Sequence, residues 1–232
     1  MSKEKLQIKR RSMFGEVMVR FLRKPIAVFG AVIMIVVVAL CLLAPVIAPY
    51  DIDAQDITRK FTEPSQEFIC GTDNLGRDIF SRLLYGGRIS LMVGFVSASI
   101  AAILGVILGA IAAFYGKRTD NIIMRILDVF MALPQMLLAI AISAMIGTGI
   151  KGAIIAVTVA TIPRFAQAVR GPILSIRNQE FVEAAFAIDA KDSRIVLRHI
   201  LPNVLSPIIV QVTMGVGNAI TMAASLSFIG LG

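Results

Sequence analysis

The sequence predicts an all-α polytopic membrane protein, and three observations carry that reading. Of 232 residues, 57% are hydrophobic and 16% charged, with a mean hydropathy of +0.82. A water-soluble domain of this size has too little interior to hide that much apolar side chain. Five apolar stretches approach or exceed the ~20 residues that carry a helix across a hydrocarbon core. Lys and Arg gather in alternate connecting segments, which is how a membrane protein fixes its orientation.

The first stretch runs from Ile26 to Ala48 between Pro25 and Pro49. It exceeds the ~7–15-residue apolar region of a cleaved signal peptide, so it reads as an uncleaved anchor. The second runs from Ile89 to Phe114 and the third from about Leu127 to Gly147. The fourth, Ala153 to Val169, is shorter and contains Pro163 and Arg164; the fifth runs from Val204 to about Ser225. Organisation follows: a cytoplasmic segment 1–25, an anchor 26–48, an external loop 49–88 and a transmembrane domain 89–232.

Orientation comes from the basic residues. With the N-terminus inside, segments 1–25, 115–128 and 164–203 hold 17 Lys and Arg, against 6 in the external segments. That asymmetry puts 164–203 in the cytoplasm. It also accounts for the net charge of +8 without nucleic acid as a partner. Five spans put the C-terminus outside. The chain stops at Ser227-Phe228-Ile229-Gly230-Leu231-Gly232 with no polar tail, the pattern of an ending in mid-fold.

The segment Arg170 to Asn203, between the fourth and fifth spans, is amphipathic. Phe181, Ala184, Ala185 and Ile188 fall at i, i+3, i+4 and i+7, giving one apolar helix face. Asp189 interrupts it and is placed to cap a second segment, whose apolar set is Ile195, Val196, Leu197 and Ile200. Pro202 is placed to end that helix or to set its angle to the fifth span. From periodicity alone, this helix-turn-helix is either an interfacial hairpin on anionic lipid or a knob for a soluble partner.

Glu183, Ala184 and Ala185, followed at the proper distance by Leu201 and Pro202, resemble the EAA loop of binding-protein-dependent ABC transporter permeases. The family pattern is EAA, three residues, Gly, nine residues, then I-x-L-P. Here Asp189 stands where Gly is usual and His199 where Ile is usual. Residues 71–78, GTDNLGRD, resemble the GTD-x-x-GRD segment of the dipeptide, oligopeptide and nickel permeases, specifically their second, C-type subunit. The resemblance runs from about Pro25 to Gly232.

This resemblance implies a six-span fold, of which five spans are present, and a coupling loop at Glu183, Ala184, Ala185, Asp189, Leu201 and Pro202 that docks ATPase subunits. It also implies a second permease subunit in a heterodimer, two ATP-binding subunits and an external solute-binding protein. Solutes within the resembling branch are dipeptides, oligopeptides, glutathione and nickel chelates.

Physical chemistry adds local expectations. Gly71 and Gly76 permit tight turns, while Thr72, Asp73, Asn74 and Asp78 can cap backbone donors. Phe80, Leu83 and Leu84 would lay a short helix on the membrane surface. In the second span Ser90, Gly94, Ser97, Ala101, Gly105 and Ala112 recur near helical spacing, and Gly105–Gly109 is GxxxG, a close-packing pattern. In the fifth span Gln211, Gly215, Asn218, Met222 and Ser225 share one face. Polar groups are costly in lipid, so this face turns inward, either to line a pathway (Gln211, Asn218, Met222) or to bond neighbouring helices. Asp128, Arg125 and Arg164 read as interfacial anchors or pairs.

Some chemistry is missing. No G-x-x-x-x-G-K-[ST] run occurs: Gly116-Lys117 precedes Arg118, and position 111 is Ile. ATP would therefore be hydrolysed elsewhere. One histidine, with Cys41 in an apolar run and Cys70 in a polar loop, suggests neither a metal site, a cofactor nor a disulfide framework. The centres of the spans carry no ionisable residue of the kind an ion-coupled transporter would use.

Overall fold

The computed structural model describes residues 18, 19 and 21–232; most of the basic segment 1–25 lies outside the described residues. The elements are α1 (Pro25–Leu42), α2 (Ala44–Ile47), α3 (Ile79–Tyr115), α4 (Lys117–Met131), α5 (Gln135–Ile146), α6 (Ile150–Arg177), α7 (Glu180–Ala187), α8 (Asp192–Arg194) and α9 (Leu205–Phe228). Among the described residues four helical stretches are long and apolar enough to cross a membrane: α1, α3, α6 and the continuous run Asp192–Phe228. A fifth crossing exists if the bent pair α4–α5 counts as one. By contact the chain divides into two compact units, 1–88 and 89–232.

In the first unit, α1 begins with Pro25 in its first turn, where a missing N–H costs nothing. It is apolar on every side, as a helix in lipid should be. The segment up to Asp78 is built on turns. Gly71 and Gly76 take φ of +74° and +75°, and an added Cβ at Gly76 would sit 1.8 Å from the carbonyl oxygen of Asp56. The Asp73 carboxylate accepts from the amides of Leu75 (2.8 Å) and Arg77 (3.0 Å) and from Nε of Arg77 (2.7 Å). Burial favours the neutral form of Asp73, but these donors outweigh it and hold its pKa below the ordinary 3.8.

Asp78 corrects the expected start of the second span. Its Oδ2 accepts from the amide (2.7 Å) and hydroxyl (2.6 Å) of Ser81, which caps a helix beginning at Ile79, ten residues before Ile89. Arg82 and Arg88 broke the apolar run in the sequence without breaking the backbone. Phe80, Leu83 and Leu84 are therefore the first turns of α3, not a separate surface helix, and the irregular part of the predicted loop 49–88 closes at Asp78.

The second unit holds the bundle. The expected third span is two helices bent by 86°. Pro134 offers no N–H and disfavours helical geometry in the residue before it, so Ala132–Pro134 forms a break. The fourth span is longer than expected: α6 runs 28 residues through Pro163 and Pro172. Pro202 does not end the helix before the fifth span. Residues Ile195–Ile200 widen into a π-helix and Leu201–Val204 tighten into a 3₁₀ turn. That widening accommodates a proline whose ring would strike the carbonyl four residues back.

The bundle core is made largely of alanine, valine and isoleucine. One layer brings Val93 and Ala98 of α3 against Leu138 of α5, Ala156 and Val157 of α6, and Ala219 of α9. A second brings Ala110 and Phe114 against Val169, Ile173, Val182 and Ile195. The GxxxG of α3 lies on α6: added Cβ atoms at Gly105 and Gly109 would stand 2.4 Å from Cβ of Phe165 and 2.5 Å from the Ala166 carbonyl oxygen. Close backbone approach supplies the contact where lipid supplies no hydrophobic drive.

Candidate functional site

The elbow at 178–204 forms from the backbone outward. α7 starts after an extended Gln179, with Glu180 and Glu183 in its first turn, where acidic side chains meet the positive end of the helix dipole. It ends in a Schellman closure: the Asp189 amide donates to the Phe186 carbonyl (3.0 Å) and the Ala190 amide to the Ala185 carbonyl (3.2 Å). Asp189 sits at the left-handed position, φ +55°. Glycine favours that position, and aspartate tolerates it better than most residues. Asp189 thus terminates the first arm. It does not cap the second, whose start at Lys191 has no side-chain cap.

The face that α7 buries is not the one periodicity suggested. Val182 (0% exposed) and Ala185 (4%) pack into the second core layer. Phe181, Ala184 and Ile188 point out, Ile188 at 79% exposure. Phe186 stays half outside while stacking on Phe114 at 5.8 Å. Spacing of three and four fitted two adjacent stripes, and contact with α3 and α6 selected the one holding Val182. The small size of Ala185 consequently serves the chain's own packing, and Ala184 presents the small outward surface beside exposed Glu183.

On the second arm Ile195 and Ile200 are fully buried, whereas Leu197 is 65% exposed. Leu201 is half-buried and Pro202 exposed. The Asn203 side-chain amide donates to the His199 carbonyl at 2.6 Å, satisfying an acceptor freed near the proline. The arm runs on into α9 as one helical stretch, Asp192–Phe228.

A polar connection that the sequence did not disclose holds the root of the loop. Arg170 donates to Asp120 through Nε and Nη2, each at 2.6 Å, tying α6 to α4. Asp128 accepts from Gln167 at 3.3 Å. Fifty residues separate Arg170 from Asp120, so no local spacing could reveal the pair. Of the α9 stripe expected to turn inward, Gly215 is buried, where an added Cβ would stand 2.6 Å from the Phe165 ring, Gln211, Met222 and Ser225 are half-buried, and Asn218 is exposed, against that expectation. Among the described residues no group of three His, Cys, Asp or Glu could hold a metal ion.

Residues 105–232 match the family described as binding-protein-dependent transport system inner membrane component. Residues 12–64 match the N-terminal transmembrane domain of oligopeptide transport permease C. The chain is 42% identical to the dipeptide transport system permease protein DppC of Alkalihalophilus pseudofirmus, over 90% of its length and 69% of the relative's. It is 38% identical to the oligopeptide transport system permease protein OppC of Bacillus subtilis, over 99% and 75%. It is 45% identical to the glutathione transport system permease protein GsiD of Escherichia coli, over 92% and 71%. Its fold resembles a chain of the MetNI methionine ABC transporter in an inward-facing conformation, with TM-score 0.56 and 23% identity over 62% of this chain and 72% of that one. On these matches, together with its multi-pass helical fold, the chain belongs to the binding-protein-dependent ABC transporter permeases.

Proposed function

We propose that this chain is a C-type membrane subunit of an ATP-driven importer that carries dipeptides, oligopeptides or a related small solute inward across the cytoplasmic membrane. The names of its relatives support that solute class. In this reading 1–25 is cytoplasmic, 26–48 is an anchor, 49–88 is external, and 89–232 is the transport domain with its elbow in the cytoplasm. A second permease subunit completes the pathway, an external binding protein delivers the solute, and two partner subunits hydrolyse ATP.

The elbow carries the proposal. One face of α7 packs against α3 and α6, and the other leaves Phe181, Glu183, Ala184 and Ile188 exposed among the described residues. A soluble protein that grips this outward face and moves would carry the second arm and α9 with it. Gln211, Asn218 and Met222 would then change their access to a hydrated path between the subunits. Asp189 sets the angle between the arms, and Leu201 and Pro202 carry the motion into the span.

The test is uptake of trialanine into proteoliposomes holding both permease subunits, the ATPase pair and the binding protein. ATP-dependent uptake is expected, and Ala184→Trp should lower it at least tenfold, about 1.4 kcal/mol of coupling. Uptake driven by an ion gradient without the ATPase subunits would refute the proposal.

A further inference from the structure

α6 is longer than the sequence suggested, and its length moves Arg164 from the edge of a span to the middle of a helix. Fourteen residues separate it from Ile150 and thirteen from Arg177, so about 20 Å of helix lies on either side. A guanidinium inside a helix long enough to cross a membrane is costly wherever it meets hydrocarbon, and there it marks a substrate or ion path, or a paired site. Arg164 is exposed on the chain. Among the described residues it has no ion-pair partner. Neither α5 nor α6 carries an acid. The two acids of α4 are engaged, Asp120 by Arg170 and Asp128 by Gln167.

A second observation falls on the same spot. Arg164 and Ala160 line a recess of about 350 Å³ whose opposite wall is the break between α4 and α5, including Met131, Pro134 and Gln135. Non-helical backbone at membrane depth persists where protein covers it or where it borders water. Here it borders an open recess with a cation in it. Discontinuous helices of this kind frame solute sites in transporters.

We infer that Arg164 is a solute-contacting residue, and that the recess beside the α4–α5 break takes the terminal carboxylate of a passing peptide. The inference rests on the proposed peptide import, which supplies the ligand. A guanidinium binds a carboxylate through two parallel N–H donors, a geometry an ammonium cannot copy. A pathway with this contact favours solutes that end in a free acid over the same solutes ending in an amide.

The experiment uses the full reconstituted complex and two probes, trialanine and trialanine amide, each at saturating binding protein. Arg164→Gln should lower maximal trialanine uptake about tenfold more than amide uptake, while Arg164→Lys, which keeps the charge without the paired donors, should lose about threefold of the free-acid preference. Equal effects on both probes, or no effect on either, would overturn the inference and leave peptide import standing. Loss of the second permease subunit from the purified Arg164→Gln complex would also overturn it, assigning the guanidinium to an acid of that subunit. If the parent complex imports no trialanine with ATP, the peptide reading itself fails, and this inference with it.

Discussion

The amide of Ala190 donates to the carbonyl of Ala185 across 3.2 Å, and this bond closes α7 over a left-handed Asp189. The turn between the two arms is therefore fixed by backbone bonding and not by a side-chain cap. A non-glycine residue in that conformation costs about 1–2 kcal/mol, somewhat less for aspartate.

Asp189→Gly should remove this cost and stabilise the elbow by about 1 kcal/mol. Thermal unfolding of the purified subunit and proteolysis between Ile188 and Lys191 check it. The variant should resist cleavage longer than the parent, and faster cleavage would contradict the assignment of strain.

Ala184 and Ala185 should behave as opposites despite their adjacency. Ala185→Leu forces extra methyl groups into the layer of Val169, Ile173 and Val182, and should cost about 1–3 kcal/mol. Ala184→Leu should leave folding within about 0.5 kcal/mol, since its side chain faces outward. Paired detergent-melting curves decide the matter.

The Asp120–Arg170 pair should prove cooperative. A double-mutant cycle with Asp120→Asn and Arg170→Gln should return a coupling of about 1–2 kcal/mol, within the range for residues sharing a hydrogen-bonded pair. A coupling near zero would mean the pair only decorates the joint between α4 and α6.

The Gly71–Asp78 turn should hold through mild acid. Because the folded pKa of Asp73 lies below 3.8, its contribution is fully present above the ordinary aspartate range and disappears only as pH falls through the lowered value. Amide protection at Leu75 and Arg77, corrected for intrinsic exchange, should match between about pH 7 and pH 5 and fall only below the ordinary aspartate range. Loss of protection already at pH 5 would contradict the donors assigned to this carboxylate.

Four of the five expected spans, and their order, were legible among the described residues because lipid solvation demands length and composition, and both are local properties. The bend at Pro134 was not, since an apolar window spans a break as readily as a helix. The start at Ile79 was hidden by Arg82 and Arg88, although Asp78 and Ser81 carried the capping signal three residues apart. In the elbow, periodicity found two apolar arms and the turn between them. It chose the stripe of Phe181 and Ile188, because spacing alone does not say which of two neighbouring stripes meets the core. The Asp120–Arg170 bond and the recess at Arg164 are products of tertiary packing.

In the proposed arrangement the elbow lies in the cytoplasm and receives the ATPase subunits on its outward face. A single cysteine at Ile188, with native Cys41 and Cys70 replaced by serine, tests it most directly with a membrane-impermeant maleimide. Labelling is expected in inside-out vesicles stripped of the ATPase subunits, with protection when those subunits are restored and no labelling in intact cells. Labelling from the outside of intact cells would contradict it.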